Sequence, residues 1–261
     1  MISPGLVSIT FRQLSPAEIV RLVVQAGLQG IEWGGDVHVP HGDLARAREV
    51  RGLTADVGLV TAAYGSYYRL GHSETDGLPF ERVLETAVAL EAPTVRVWAG
   101  TRGAAEADAD YRKLIIDESR RIADIAAAAG ITVSYEYHGG TLTDTPASAL
   151  DLLEQAAHPN LKTLWQPLNW QPTDEATRAN VQSLRQVLPW LTNVHVYHWV
   201  TDEAGQRERR SLAAGEASWR EYLRTISATG RDHWALIEFV RHDTPEEFLE
   251  DAQALREWLG D

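Results

Sequence analysis

The sequence predicts an α/β protein built as a single closed (β/α)₈ barrel over residues 1–261, on three observations. Eight short β-rich runs recur along the chain, each is followed by an amphipathic helical stretch, and no linker rich in Pro, Gly or Ser interrupts the series. The length suits one barrel, which takes about 250 residues, and a 44% hydrophobic composition supplies a large core. An open doubly wound sheet is the alternative. It usually has fewer strands and carries a Gly-rich phosphate loop early, and the chain contains neither a GxGxxG nor a Walker-type sequence.

In chain order the strand candidates are Leu6–Thr10, Gly30–Trp33, Leu59–Tyr64 and Thr94–Trp98, then Ile131–His138, Leu161–Gln166, Asn193–Trp199 and Trp234–Val240. Helical spacing of apolar residues fills the intervals, as in Tyr111–Ala129, where Leu114, Ile115, Ile122 and Ile125 recur on one face. Helix starts are marked by Ser15-Pro16-Ala17-Glu18 and Thr244-Pro245-Glu246-Glu247, a cap residue followed by Pro. Gly27, Gly58, Gly130 and Gly230 mark helix ends.

A buried parallel strand reads as nearly continuous Val, Ile and Leu. Four strands break that rule near their C-terminal ends, with Glu136, Gln166, His195 and Glu238. In a barrel those ends form the active face. A buried carboxylate needs a cation or a proton to compensate it. Two carboxylates, an imidazole and an amide converging there suggest one divalent metal, Mn²⁺ or Mg²⁺ by ligand type, with Zn²⁺ or Co²⁺ as alternatives. The plainer reading of any one Glu is an ion pair with Arg96 or Arg241, and of a lone strand His a hydrogen-bonded core residue. Four interruptions at equivalent places favour the shared site.

Composition excludes several classes. The absence of cysteine removes disulfides, thiolate nucleophiles and Cys-type metal sites. A net charge of −13 opposes nucleic-acid binding. No apolar run is long enough for a membrane span and no secretory signal is visible, so a cytoplasmic protein without membrane contact is expected. Only Lys113 and Lys162 are available for Schiff-base chemistry, and both read as surface residues.

Taken together, the residues resemble the xylose-isomerase-like TIM barrels, a family that includes sugar-phosphate isomerases, ketose 3-epimerases and inosose dehydratases. Gly30-Ile31-Glu32-Trp33 resembles the family's second strand, and Glu136-Tyr137-His138-Gly139-Gly140 its Glu-Asn-His-Gly-Gly turn. Val194-His195-Val196 resembles its His strand, Ile237-Glu238 its last Glu strand, and Leu212-Ala213-Ala214-Gly215-Glu216 the segment leading into the next helix. The resemblance implies a metal held by Glu136, His195 and Glu238, with Gln166 where the family has Asp. A neutral amide lowers the ligand charge, so weaker metal binding is expected. Asn169 stands where ketose epimerases have a substrate-binding His.

The resemblance also implies Glu136 and Glu238 as the proton-transfer pair. Residues expected to meet substrate are Trp33, His38, Trp98, His138, Asn169, His198 and Arg241. Trp165, Trp170 and Trp199, with Tyr64, Tyr67 and Tyr68, suggest an aromatic mouth suited to a ring or polyol. The Arg207–Arg210 cluster reads first as a solvated loop, with contact to an anionic group as the alternative. The function expected is a metal-dependent isomerase or epimerase of a small sugar or cyclitol, working through proton abstraction beside a carbonyl. The alternatives are a keto-inositol-type dehydratase and a non-catalytic sugar-binding barrel. The apurinic endonuclease branch is disfavoured, because the fourth strand ends Arg96-Val97-Trp98-Ala99-Gly100 without a ligand and the chain is acidic. Homo-oligomerisation through the outer helices is compatible with the sequence.

Overall fold

The structure is a computed structural model that describes residues 1–201 and 204–260. It begins with strand β1 (Ile2–Val7), helix α1 (Pro16–Gln25), β2 (Gly30–Gly34), α2 (Leu44–Ala55), β3 (Val60–Arg69), α3 (Phe80–Leu90) and β4 (Thr94–Trp98). Next come α4 (Ala109–Ala128), β5 (Thr132–Tyr135), α5 (Pro146–Ala156), β6 (Leu161–Trp165), α6 (Asp174–Val187) and β7 (Leu191–Val196). A short hairpin, β8 (Trp199–Thr201) with β9 (Arg207–Arg209), precedes α7 (Glu216–Ser227), β10 (His233–Ile237) and α8 (Pro245–Leu259).

Eight parallel strands close in the order β1-β10-β7-β6-β5-β4-β3-β2, so the chain folds as the expected (β/α)₈ barrel. Closure is made by β1, which pairs with β10 from Ile2↔His233 to Leu6↔Ile237 and with β2 from Gly5↔Gly30 to Val7↔Glu32. The first strand begins earlier than the sequence suggested. Residues Ser8–Thr10, read as strand, belong instead to a 3₁₀ turn over Ser8–Phe11. The segment Trp199–Arg209, read as strand end and loop, contains the antiparallel hairpin.

Local signals act as expected at the helix ends. Ser15 and Glu18 form a reciprocal capping box on α1, and the Thr244 hydroxyl accepts the amide of Glu247 on α8. Helix α4 buries Tyr111, Ile115, Ile122, Ala123 and Ala126 against the barrel, while Leu114, assigned to that face from spacing, is exposed. Gly130 follows α4 at φ 71°, a left-handed conformation that a side chain would strain.

The main core lies between strands and helices. A separate cluster of strand and turn residues, Val7, Ile9, Ala62 and Leu236 with Trp234, Tyr67 and Phe239, plugs the barrel beneath its mouth. Trp234 fits because Gly30 has no side chain: a Cβ there would stand 2.5 Å from the indole.

Candidate active site

Alternation along each strand decides which side chains enter the barrel. Glu136 directly follows β5, Gln166 follows β6, His195 lies in β7 and Glu238 follows β10. These four strands are neighbours in the closed sheet. Glu136, His195 and Glu238 each place a ligand atom within 4.8 Å of the others, and all three are buried. An ion with bonds of about 2.1 Å needs ligand atoms roughly 3–4 Å apart, so the cluster can share one cation after a small contraction.

Gln166 completes the test of whether a cation fits. Its amide nitrogen donates to the Tyr137 carbonyl at 2.5 Å, which fixes the orientation of the amide. The remaining oxygen, Oε1, is buried and has no hydrogen-bond partner among the described residues. A buried acceptor without a donor is costly, and Gln166 lines the same cavity as Glu136 and Glu238. A divalent cation would satisfy that oxygen together with the carboxylates and the imidazole. The donor set fits the group.

Two further charged residues join the cluster, and neither was singled out as a site residue from the sequence. Arg96, in β4, donates through Nε to Glu32 Oε1 at 2.7 Å and through Nη1 to Glu136. Glu32, in β2, meets His195 Nε2 through Oε2 at 3.2 Å. His195 Nδ1 then lies 3.2 Å from Glu238 Oε2. A chain Glu136–Arg96–Glu32–His195–Glu238 therefore crosses the barrel lumen. Burial opposes the charge on Glu32, but Arg96 and His195 outweigh it and hold its carboxyl at about 2. Burial alone would lower His195, yet Glu238 and Glu32 push it up to about 10. Gly65 makes room for the pair: a Cβ there would lie 2.4 Å from Arg96 Nη2 and 2.9 Å from Glu32 Oε1. The signal for Glu32 was the same break in an apolar strand that marked the other four. The neighbouring Trp33 points the opposite way, into the helix layer.

Above this floor opens a cavity of about 490 Å³. Trp98 donates its indole N–H to Glu136 Oε2 at 2.5 Å, and His138 stacks on Trp98 with ring centres 4.0 Å apart. The His138 Nδ1–H is held by the Gly139 carbonyl at 2.8 Å, which leaves Nε2 available at the cavity. Tyr67, Trp170, Tyr197, Trp199 and Phe239 form an aromatic wall. Tyr67 and Phe239 adopt left-handed backbone conformations, φ 54° and 56°, Tyr67 where β3 bulges against β4 and Phe239 just beyond β10. Strained backbone of this kind re-aims side chains at a functional mouth.

Two arginines stand at the rim. Arg12 is paired with Asp36 at 2.8 Å and with the Tyr67 hydroxyl. Arg207 lies over the Trp170 ring at 4.1 Å and, among the described residues, forms no ion pair.

Five residues expected to meet substrate lie away from the cavity. Trp33 faces the helix layer and donates to Thr54 of α2. His38 is buried between Ser8 and the Leu14 carbonyl. The Asn169 side chain accepts from Gln171 N within its own turn, and its backbone is tied to Asn180 of α6. His198 packs over Gly215, where a Cβ would stand 2.6 Å from the ring. Arg241 is committed to Glu247 of α8 at 2.6 Å. Trp165 is likewise core, packed on Trp219 and Tyr222. In each case proximity to a strand end was legible, but direction was not.

Comparison with known proteins agrees with this architecture. Residues 20–258 match the family described as xylose isomerase-like TIM barrel. The chain is 26% identical over 265 residues to the 3-dehydroshikimate dehydratase of Bacillus anthracis, covering 93% of this chain and 92% of that protein. The crystal structure of the probable 3-DHS dehydratase AsbF from Bacillus anthracis superposes with a TM-score of 0.80 at 25% identity, covering 98% of each chain. The 3-keto-D-glucoside 4-epimerase YcjR of E. coli shares the fold, with a TM-score of 0.73 at 16% identity and full coverage of both chains. With a family match over most of its length and a closed eight-strand barrel, the chain belongs to the xylose isomerase-like TIM barrel family.

Proposed function

We propose that the protein is a divalent-cation-assisted lyase that dehydrates a cyclic β-hydroxy ketone carrying a carboxylate, a compound of the 3-dehydroshikimate class. The observation that carries this reading is the polarity of one cavity. The Glu136–His195–Glu238 cluster lies at its floor and Arg207 stands at its rim. A carboxylated ring suits both ends, because the arginine offers a charge-assisted bond to an anion while the floor handles the ketone. The likeness to a 3-dehydroshikimate dehydratase over nearly the whole chain supports the same choice.

Glu136, Gln166, His195 and Glu238 are the residues that would hold the cation, which supplies polarisation of the substrate carbonyl and stabilisation of negative charge on its oxygen. The rest falls to the protein's own groups. Glu136 Oε2 accepts from both Arg96 and Trp98, so that carboxylate is held in one orientation. Glu238 accepts no comparable pair of donors among the described residues, and we assign it the removal of the proton α to the carbonyl. The electron pair left on carbon moves into the carbonyl. As the carbonyl re-forms, the β-hydroxyl departs as water with the proton that Glu238 took from carbon, while Glu136 stays a carboxylate under Arg96 and Trp98. The products are water and a conjugated dienone, and a ring that already holds one alkene then tautomerises to a dihydroxybenzoate. The aromatic wall supports a flat ring of this kind.

The isomerase or epimerase of a neutral sugar or cyclitol, expected from the sequence, begins with the same proton abstraction. The wall of Trp98, Trp170 and Trp199 favours it to the extent that it suits the apolar faces of a polyol. Proton NMR in D₂O with added Mn²⁺ separates the readings. With 3-dehydroshikimate, aromatic resonances should replace those of the substrate, and Glu136→Gln or Glu238→Gln should abolish the conversion. Deuterium exchange into ketoses or inososes, with 3-dehydroshikimate untouched, would reject the lyase in favour of the isomerase.

A further inference from the structure

We propose that Glu32 is a positioning residue that sets the tautomer of His195. It holds the imidazole proton on Nε2 and so presents the Nδ1 lone pair to the cation shared by Glu136 and Glu238. The inference rests on the cation part of the reading above and not on the identity of the substrate.

Glu32 is fully buried and lies on β2, three places around the barrel from His195 on β7, so their contact spans the interior. Its Oε1 is taken by the Arg96 guanidinium at 2.7 Å, with both side chains almost fully excluded from water. A carboxylate clamped by a buried arginine is ionised and can only accept. Its second oxygen stands 3.2 Å from His195 Nε2, so that nitrogen carries the proton. In a neutral imidazole the lone pair must then lie on Nδ1. Nδ1 is buried, forms no aligned hydrogen bond among the described residues, and lies 3.2 Å from Glu238 Oε2. A ring nitrogen and a carboxylate oxygen that face one another without an aligned hydrogen bond are where a cation would sit.

The backbone is built around this arrangement. At Gly65 a Cβ would meet both Arg96 Nη2 and Glu32 Oε1, so the strand itself leaves the space in which the pair is held. A carboxylate behind a ligating histidine orients the ring and raises its basicity, and its loss costs about 10- to 100-fold in metal affinity.

Glu32→Gln tests the direction of the bond. The amide oxygen can still accept from Arg96, but the amide NH₂ then faces His195 Nε2 and favours the proton on Nδ1. Mn²⁺ affinity, measured by calorimetry, should fall about 10- to 100-fold, and Glu32→Asp should recover part of it. The unaltered protein provides a second measurement that no folding defect can obscure. In ¹⁵N NMR of its histidines, Zn²⁺ used as a diamagnetic probe should shift His195 Nδ1 and leave Nε2 protonated. Ligation through Nε2, or a Glu32→Gln protein that binds Mn²⁺ within twofold of the unaltered one, would overturn the role of Glu32 alone. Failure of the unaltered protein to bind either ion would overturn it together with the cation reading.

Discussion

Replacing Arg96 by Met removes the guanidinium that joins Glu32 to Glu136. Arg96 and Glu32 are at most 2% exposed and Glu136 is 4% exposed, so water cannot take over the solvation of the two carboxylates. Removing one partner of a buried ion pair costs about 3–5 kcal/mol. For a chain of this size each kcal/mol shifts the unfolding temperature by roughly 2–4 °C, so a loss of about 10 °C is expected. The assay is thermal unfolding followed by circular dichroism, with a chelator present and then with Mn²⁺. Because the vacancy leaves excess negative charge beside the cation ligands, Mn²⁺ should narrow the gap between variant and unaltered protein. Saturation at 100 times the dissociation constant contributes about 2.7 kcal/mol. Adding Glu32→Gln to Arg96→Met should cost less than the sum of the two single changes, because the partners are in contact. An Arg96→Met protein that unfolds within about 2 °C of the unaltered one in chelator, or strict additivity in the double variant, would refute the picture of one coupled charge chain.

Other expectations follow from the same geometry. Gln166→Leu removes the unpaired Oε1 and should weaken Mn²⁺ binding about 10- to 100-fold, the equivalent of one polar interaction of 1–3 kcal/mol; unchanged calorimetric affinity would take Gln166 out of the ligand set. Arg207→Gln should raise KM for the carboxylated substrate at least tenfold with kcat little changed, because a charge-assisted bond of about 1.5–3 kcal/mol is lost in ground and transition state alike, and steady-state kinetics with 3-dehydroshikimate reads this directly. Gly65→Ala should weaken Mn²⁺ binding without touching a ligand, since its Cβ displaces Arg96 and Glu32. In the metal-free protein the folded His195 is raised from its ordinary 6.5 to about 10, so its contribution to stability is full below pH 6.5 and is lost as the pH rises toward 10. The difference in unfolding temperature between the unaltered protein and His195→Gln, both in chelator, should therefore shrink across that window; a constant difference would contradict the charged state assigned to His195.

Much of the site was legible as interruptions of apolar strands. Glu136, His195 and Glu238 stand where that rule placed them, and Gln166 lines the same cavity. Glu32 satisfies the same rule, but its partners Arg96 and His195 lie 64 and 163 residues away and nothing local reports them. Trp33 and Trp165 share strand-end positions with true cavity residues yet point outward, because successive side chains alternate between the lumen and the helix layer. Asn169, His198 and Arg241 lie in turns, where no period exists to give a direction.

By itself the sequence determined the class of fold and which polar residues stand at the floor of the cavity. Alternating strand and helix periods leave few ways to bury their apolar faces, and polar residues in buried strands are too costly to be accidental. Only the tertiary structure decided how those polar residues are compensated. Barrel closure brings β2 and β4 across the lumen from β7, and with them a carboxylate that meets His195 and a guanidinium that joins it to Glu136. The expectation of weaker metal binding counted the ligand charges alone, and Glu32 and Arg96, opposite in sign, leave that count unchanged. With Glu32 and Arg96 included, three carboxylates stand against one guanidinium and a divalent ion, and the buried charge balances when His195 is neutral. That balance is a property of the closed barrel, because electrostatic partners are set by distance through space and not by spacing along the chain.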